Sequence, residues 1–440
     1  MINFINDNIN RFCGFLTEKS TCFFDYYSNG GYARTRIPQC GREGQTHTQG
    51  IIAKKIVILL ASTLTVMSGA TIGPVLPLIN EAFAGAPNAP LLTRLVLTMP
   101  ALFIVLSSPV AGYLVDRFGR KKLLLTATLL YGVFGSAGAW LDSLSAILAS
   151  RALLGITVAG IMTVCITLIG DYYSGAERQK VMGLQNAFMA FGGVLFITGS
   201  GLLADISWRA PFLIYTSALI LIPAISLFVT EPEQIRDISA EKKRSAHQSV
   251  SLLPTVLIIL MAFFGMAIFY MIPVHIPFLL DQFGSINSTR IGLALASFVF
   301  MGALISLNYH HFLRRLSYPS IYLLCFFLLG VGYVTISFAE SYYQTFAGLL
   351  IGGIGSGLLM PNSSIWLLSE APEHLRGRIS GLLTTAVFLG QFLSPVLTQP
   401  IVDALSISAG FLIVGSVVAL VPVLLTLSHL LRNRFHKRLH

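Results

Sequence analysis

The chain has 440 residues, of which 54% are hydrophobic and only 11% are charged, and its formal net charge is +10. Soluble domains contain roughly 25% charged residues, so this composition excludes an ordinary soluble globular protein. It is the composition of a chain that exposes most of its apolar side chains to lipid.

The chain begins with a polar segment, residues 1–53, which contains no apolar stretch of the length a signal peptide needs. Either it is a disordered cytoplasmic tail, or the start was placed upstream of the native one. Twelve apolar runs follow, and most are close to the length of about 20 residues that a spanning helix requires. They lie near 56–80, 91–111, 123–139, 145–169, 181–203, 211–229, 254–280, 291–310, 320–338, 344–368, 380–401 and 409–430.

The most charged stretch divides these runs into six and six. The two sets echo each other, since Asp116–Lys121 aligns with His310–Arg315 and Gly192 aligns with Gly390. We therefore predict an all-α membrane protein with twelve transmembrane helices in two pseudo-symmetric six-helix halves. The predicted segments are a half at 54–230, a cytoplasmic linker at 231–251, a second half at 252–431 and a basic cytoplasmic tail at 432–440.

The positive charge is held on one side of the predicted membrane. All Lys and Arg residues except Arg94, Arg151, Arg209 and Arg290 fall in the two terminal segments or in loops on the same side as them. Positive charge concentrates on the cytoplasmic face of membrane proteins, so both termini are predicted to be cytoplasmic in a multi-pass protein of the inner (plasma) membrane. This distribution accounts for the net charge without a nucleic-acid partner.

A short polar segment stands between the second and third apolar runs, with the sequence GYLVDRFGRKK from Gly112 to Lys122. A stretch this polar between two spans predicts a tight loop at a membrane face. It resembles the signature loop between helices 2 and 3 of the major facilitator superfamily. The resemblance implies the major facilitator fold and a conformational latch between the two halves formed by Gly112, Asp116, Arg117, Gly119 and Arg120. The alternative is a simple cytoplasmic anchor of positive charge.

Two further segments resemble the 12-helix drug/proton antiporter (multidrug efflux) group. In the fourth span Arg151 is followed four residues later by Gly155, and the fifth span is glycine-rich from Gly192 to Gly201 but lacks the proline usual in that motif. The resemblance implies a secondary active transporter that exports a small amphipathic molecule, drug-like or metabolite, by proton-coupled alternating access. Its partners would be that molecule, protons and the lipid bilayer; it would act as a monomer and need no cofactor.

Candidates for coupling or substrate binding are few, because no Asp or Glu lies in the middle of a predicted span. A charge inside the bilayer is costly and is therefore functional by default, which singles out Arg151. The alternative is that Arg151 reaches outward to the membrane surface. His275 titrates near neutral pH and is the second candidate. Asp205 and Asp281, at the outer ends of the fifth and seventh spans, are weaker ones.

Uncharged polar residues within the spans are predicted to line a cavity: Gln185, Asn186, Tyr270, Asn362 and Gln391. Charged residues at the inner ends of the spans could form a cytoplasmic network, or could simply be solvated: Asp171, Arg178, Glu370 and Arg376. The five cysteines form no CxxC pair and have no zinc-ligand spacing, so no metal site is predicted.

Two other functional classes remain open. A carrier or facilitator for uptake of a sugar or organic acid would have the same spans, and a non-transporting membrane receptor or scaffold could use the same fold. An enzyme is not indicated, because no Ser/His or metal cluster with catalytic spacing appears in the spans. The absence of a glycine-rich phosphate loop excludes ATP hydrolysis by a motif of that type.

Overall fold

The computed structural model describes residues 43–232, 252–284, 286–372 and 375–438. The chain divides into two units, residues 1–48 and 49–440, and the second unit contains every predicted span. Proteins cross a bilayer as helices because a helix satisfies its own backbone hydrogen bonds where water is absent. The described spans of the second unit are all helices.

Within the described residues, twelve helices are long and apolar enough to cross a membrane, and each coincides with one predicted run. They are α1 (Ile52–Ala82), α2 (Ala89–Phe118), α3 (Arg120–Ala139), α4 (Leu144–Tyr172), α5 (Gly175–Ala204), α6 (Ala210–Phe228), α7 (Leu253–Gln282), α8 (Ser288–Leu307), α9 (Tyr318–Ser337), α10 (Tyr342–Glu370), α11 (Arg376–Ala404) and α12 (Ile407–Leu424).

Several spans change helix type along their length. In α1 the α-helix Glu43–Ala70 gives way to a 3-10 helix, Gly73–Val75, and resumes at Leu76–Ala82. Pro74 lies in the 3-10 helix and Pro77 in the first turn of the resumed α-helix, and proline cannot donate a backbone hydrogen bond. Other 3-10 turns end α3 (Ala137–Ala139) and begin α6 (Ala210–Thr216), and a short helix, Tyr309–Leu313, joins α8 to α9.

The structure corrects two predicted boundaries. The first helix begins at Glu43, inside the segment 1–53 that was expected to be a disordered tail, and residues 1–42 lie outside the described residues. The last helix, Ile407–Arg438, continues into the predicted tail 432–440, of which residues 439–440 lie outside the described residues. Neither extension contains a proline, so nothing in the backbone interrupts the helix there. Of the predicted linker 231–251, residues 233–251 lie outside the described residues.

Each half has its own apolar core. One cluster of buried side chains is built almost entirely from α1–α6, and a second is built almost entirely from α7–α12. We call the end of the bundle that carries Arg120, Asp171 and Glu231 the basic end. The end that carries Asp205 and Asp403 is called the opposite end.

The two halves meet through helix pairs related by the repeat, α2 with α11 and α5 with α8, and through α1 with α7. The closest approaches lie toward the opposite end: a Cβ at Gly201 of α5 would be 2.6 Å from the carbonyl oxygen of Ser288 in α8. Toward the basic end, four glycines of α2, α5 and α11 have no described atom within 4 Å of the place where a Cβ would be: Gly112, Gly183, Gly377 and Gly381. The close contacts between the halves thus lie toward the opposite end, and these four glycine positions at the basic end are beside open space.

Candidate functional site

The polar loop at the basic end is a turn of a single residue. Helix α2 ends at Phe118 and α3 begins at Arg120, with Gly119 at φ 88° and ψ 160° between them. That backbone region is essentially restricted to glycine, which explains the second glycine of the sequence motif. The carboxylate of Glu231, just after α6, accepts hydrogen bonds from the backbone amides of Arg120 (2.6 Å) and Lys121 (2.8 Å).

Glu231 therefore caps the N-terminus of α3 from the segment that follows α6. A carboxylate at this position satisfies amides that have no partner within the helix and faces the positive end of the helix dipole. We expect Glu231→Ala to lower the free energy of unfolding by roughly 1–2 kcal/mol. The thermal unfolding midpoint of the purified protein in detergent would show this loss. Glu231→Gln keeps one oxygen acceptor and should lose less; equal midpoints for Ala and wild type would contradict the capping role.

The expected charge network is present only in part. Arg120 forms an ion pair with Asp171 of α4 (3.1 Å). The guanidinium of Arg178 in α5 packs against Gly170, also in α4: a Cβ at Gly170 would lie 3.4 Å from its Nη2 atom. Asp116 is exposed, whereas Arg117 donates to the hydroxyl of Tyr113 (3.3 Å), so the structure does not bring Asp116 into the pairing with Arg117 or Arg120 that its position suggested. In the second half Glu370 accepts a bond from the indole of Trp366 (3.3 Å), one turn away.

Arg151 is fully buried inside the first half, and it does not reach the membrane surface. Its guanidinium lies 4.9 Å from the ring centres of both Phe212 and Tyr215 in α6, and it donates to the backbone carbonyl of Gly135 in α3. Within the described part of the chain its Nε and Nη1 atoms have no hydrogen-bond partner. Arg151 therefore joins α4 to α3 and α6 as a buried cation, away from the contact between the halves.

A buried polar cluster links α2, α7 and α11 toward the opposite end. His275 of α7 is fully buried, and its Nε2 lies 2.7 Å from the hydroxyl of Thr398 in α11. Arg94 of α2 is 4% exposed, and its guanidinium lies 4.1 Å from the ring centre of Phe278 in α7. Of these residues the sequence analysis singled out only His275.

Asp205 connects the two halves at the opposite end. Its two carboxylate oxygens accept hydrogen bonds from the backbone amide of Thr289 (3.4 Å) and from its hydroxyl (2.5 Å), at the start of α8. Asp281 lies beside this contact, and both carboxylates line a cavity of about 240 Å³ between α1, α5, α7 and α8. An acid of the first half thus caps a helix of the second.

Removing this cap should favour opening of the opposite end. We expect Asp205→Ala to weaken closure by about 0.5–2 kcal/mol, or roughly two- to thirtyfold in the population that is open there. A cysteine in place of Ile291, a buried residue of the same cavity, would report this as faster reaction with a maleimide. Asp142→Ala is the control, because Asp142 is also an acid of the opposite end but pairs with Arg209 inside the first half (2.6 Å). Equal rates in both variants would exclude the role of the cap.

The predicted cavity residues lie in different environments. A Cβ at Gly69 of α1 would be 3.2 Å from the hydroxyl of Tyr270 and 3.3 Å from the amide nitrogen of Gln391, so α1, α7 and α11 meet in one layer. Gln185 is buried and donates to the hydroxyl of Ser62 in α1 (2.8 Å), whereas Asn186 beside it is exposed. We call Gly69, Tyr270 and Gln391 the central layer.

Asn362 lies elsewhere, buried inside the second half. Its amide oxygen accepts from the hydroxyl of Tyr309 (2.8 Å), and its amide nitrogen donates to the backbone carbonyl of Tyr318 (3.1 Å). Burial, followed by the charge of Tyr318, raises the pKa of Tyr309 to about 12, so this phenol stays protonated as a donor at neutral pH. Both ends of the Asn362 amide are thus used to hold the loop after α8 against α10.

The described residues include no group of three or more His, Cys, Asp or Glu side chains that could hold a metal ion. Cys165 and Cys325 are buried free thiols. The residues that the sequence analysis missed, Glu231, Arg94, Thr289 and Thr398, share one property. Each acts on a helix remote in the sequence, and no local motif marks that contact.

Comparison with known proteins gives consistent matches along the chain. The family model described as Major Facilitator Superfamily matches residues 58–285 and 258–439. The bacillibactin exporter of Bacillus subtilis is 27% identical over 382 residues, which are 82% of this chain and 92% of that protein. The class C tetracycline resistance protein of Escherichia coli is 27% identical over 369 residues, 79% of this chain and 89% of its own length. The crystal structure of a D-xylose–proton symporter has a TM-score of 0.70 at 15% identity, covers 85% of this chain and 96% of that one, and shares the fold.

Proposed function

Because the chain belongs to the Major Facilitator Superfamily, we propose that it exports a small amphipathic molecule across the inner or plasma membrane by proton-coupled alternating access. The observation that supports the proposal is that the close contacts between the halves lie toward one end, whereas glycines of α2, α5 and α11 are beside open space at the other. This arrangement gives a path from one side of the membrane to the middle. Export is supported by relatives whose names describe a bacillibactin exporter and a tetracycline resistance protein.

The basic end would face the cytoplasm, with both termini on that side. Lys and Arg are concentrated on the cytoplasmic side of membrane proteins, and the loops and terminal segments assigned to this side together carry most of the chain's Lys and Arg residues. The state described would then be the one that receives the exported molecule from inside the cell. A single copy suffices for this path, since both halves come from one chain.

The central layer is the proposed substrate contact. The hydroxyl of Tyr270 and the amide of Gln391 offer donors and acceptors without charge, and the ring of Phe269 lies 5.5 Å from that of Tyr270. Uncharged hydrogen bonding beside aromatic surface suits an amphipathic molecule that is neutral or zwitterionic. Asn186, exposed on α5, is a further candidate on the same path, and Gln185 supports it through Ser62.

The latch would form in the alternate state. When the basic end closes, α2 must approach α11, and the open faces of Gly112, Gly377 and Gly381 leave room for that approach. Arg120 would remain held by Asp171 while Asp116 and Arg117 face the other half, where Glu370 and Arg376 are candidate partners. For coupling, His275, Asp205 and Asp281 lie at or near the contact between the halves, whereas Arg151 serves to hold the first half together.

A facilitator without proton coupling is the second candidate, favoured by one observation. No carboxylate lies in the middle of the described spans, and Asp281 and Asp403 are in the last turns of α7 and α11. Such a carrier could also serve uptake of a sugar or organic acid. A non-transporting receptor would not explain the polar side chains of the central layer at the contact between the halves.

The test uses inside-out vesicles with an acidic interior and a fluorescent pH probe, to which cationic, zwitterionic and anionic compounds are added in turn. The proposal predicts proton release evoked by at least one compound, absent from vesicles without the protein and much reduced by His275→Gln. Asp142→Asn, an exposed change at the same end, should leave the release intact. Equilibration of a labelled compound without any proton release would overturn coupling and leave a facilitator.

A further inference from the structure

The contact between α2 and α7 contains a buried cation that has no anionic partner in hydrogen-bond range within the described part of the chain. Arg94 donates from Nη1 to the carbonyl of Pro90 on its own helix (2.7 Å), and its guanidinium stacks on Phe278 across the interface. Its Nε is buried and has no hydrogen-bond partner among the described residues. The Asp403 carboxylate attracts it, but the two do not form an ion pair within 4 Å. A cation in this position acts strongly on any charge that appears nearby.

The proton of His275 can be assigned from its neighbours. The hydroxyl of Thr398 lies 2.8 Å from the carbonyl of Ser394 and 2.7 Å from Nε2 of His275; we assign its one proton to the carbonyl, which makes Nε2–H the donor to the hydroxyl. In the neutral imidazole the other nitrogen, Nδ1, then holds a lone pair. This Nδ1 is buried and has no partner in the part of the chain that the structure describes. It is therefore the atom that would take up a proton.

Arg94 lies close enough to oppose that proton. Phe278, on which Arg94 stacks, is three residues after His275 and thus on the same face of α7, one turn away. The charge of Arg94 accordingly acts on His275. A proton on Nδ1 would create a second buried cation beside the first. Among the described residues, the other titratable groups on or against this part of α7 are Tyr270 and Asp281 on α7 itself, Glu81 of α1, Tyr333 of α9 and Asp403 of α11.

We propose that Arg94 drives the proton off His275 whenever the two halves close at the opposite end. Closure brings the guanidinium of α2 against α7, and Nδ1–H then gives its proton to water and recovers its lone pair. Opening of the opposite end withdraws Arg94 and lets Nδ1 take up a proton from water. His275 would thus be charged in one state and neutral in the other. The inference rests on the proposed function and adds Arg94 as the residue that links the position of the halves to the proton.

The test measures the conformation directly and needs no substrate. Spin labels are attached to cysteines at Ile206 and Tyr343, which are 79% and 80% exposed at the opposite end on different halves, in a chain whose native cysteines are replaced by serine. The distance distribution is recorded for purified protein in detergent from pH 5 to 9. We expect the population with widely separated labels to grow as the pH falls through the histidine range. In Arg94→Gln the closed state tolerates a protonated His275, so the ratio of open to closed protein at about pH 5 should fall by about tenfold, which corresponds to about one pH unit of proton affinity.

Two controls separate the charge of Arg94 from its packing. Arg94→Lys keeps the cation and should keep an open-to-closed ratio at pH 5 near that of wild type, whereas a purely structural role would disturb both variants alike. His275→Gln should abolish the pH dependence. A wild-type distribution that does not change with pH, or an open-to-closed ratio at pH 5 in Arg94→Gln equal to or above that of wild type, would overturn the inference. Loss of substrate-evoked proton release in vesicles, with this pH response intact, would instead count against the proposed function.

Discussion

Gly201→Val is expected to abolish transport while leaving the protein folded. A Cβ at this position would lie 2.6 Å from the carbonyl oxygen of Ser288 and 3.1 Å from the Cα of Thr289, so its neighbours across the interface are backbone atoms that cannot rotate away. Insertion of extra methyl groups into such a contact costs about 1–3 kcal/mol or more. The cost falls only on the state in which the opposite end is closed, so the protein should remain open there.

The same helix offers a matched control. Gly199, two residues earlier in α5, has no described atom within 4 Å of its Cβ position, so Gly199→Val should transport almost normally. Both variants would be compared by labelled-substrate export from cells, by thermal unfolding in detergent, and by the distance between labels at the opposite end. Equal transport by the two variants would show that the α5–α8 contact is not needed in the transport cycle.

Arg151→Ala is expected to produce the largest loss of stability, about 3–5 kcal/mol in the free energy of unfolding. The change removes a fully buried side chain that lies between Phe212 and Tyr215, and it leaves the carbonyl of Gly135 without its donor. An unpaired buried acceptor adds roughly 1–3 kcal/mol to the cost of the cavity. The thermal unfolding midpoint in detergent measures the effect.

Arg151→Met separates packing from charge. Methionine fills most of the same space without a cation, and Nε and Nη1 of Arg151 have no partner among the described residues to be lost. We expect this variant to retain transport and to be clearly more stable than the alanine variant. Arg290→Ala, an exposed arginine, should change the unfolding midpoint little. A methionine variant that is stable but releases no protons would restore Arg151 to a role in coupling.

The spans and the tight loop follow directly from the sequence, because each depends on a local property. Twelve apolar runs are enough to locate twelve helices, and Gly119 has the backbone angles that only glycine adopts readily. The helix ends at Glu43 and Arg438 were not predictable in this way, since polar residues neither require nor forbid a helical extension.

The contacts within the site depend on how the helices are rotated and paired, and apolar spans carry little information about either. Glu231 caps amides 111 and 110 positions away, and Asp205 bonds to Thr289 across the two halves. The sequence identified Arg94 only as one of four positive residues outside the basic loops and terminal segments. Its contact with α7 depends on how α2 packs, which the sequence does not specify. Asn362 was predicted to line a cavity for the same reason, and packing instead buries it.

The contact between the halves also determines where the membrane potential acts. In the proposed cycle, water entering from the basic end would reach the central layer, so the low-dielectric barrier, and with it most of the voltage drop, would be confined to the part of the bundle toward the opposite end. Arg94 and His275 lie within that part. One elementary charge moved through the whole potential gains or loses about 2.3 kcal/mol per 100 mV. A proton that binds at His275 therefore experiences the electrical gradient as well as the chemical one, and the rate of transport should rise with membrane voltage even when the pH is equal on both sides.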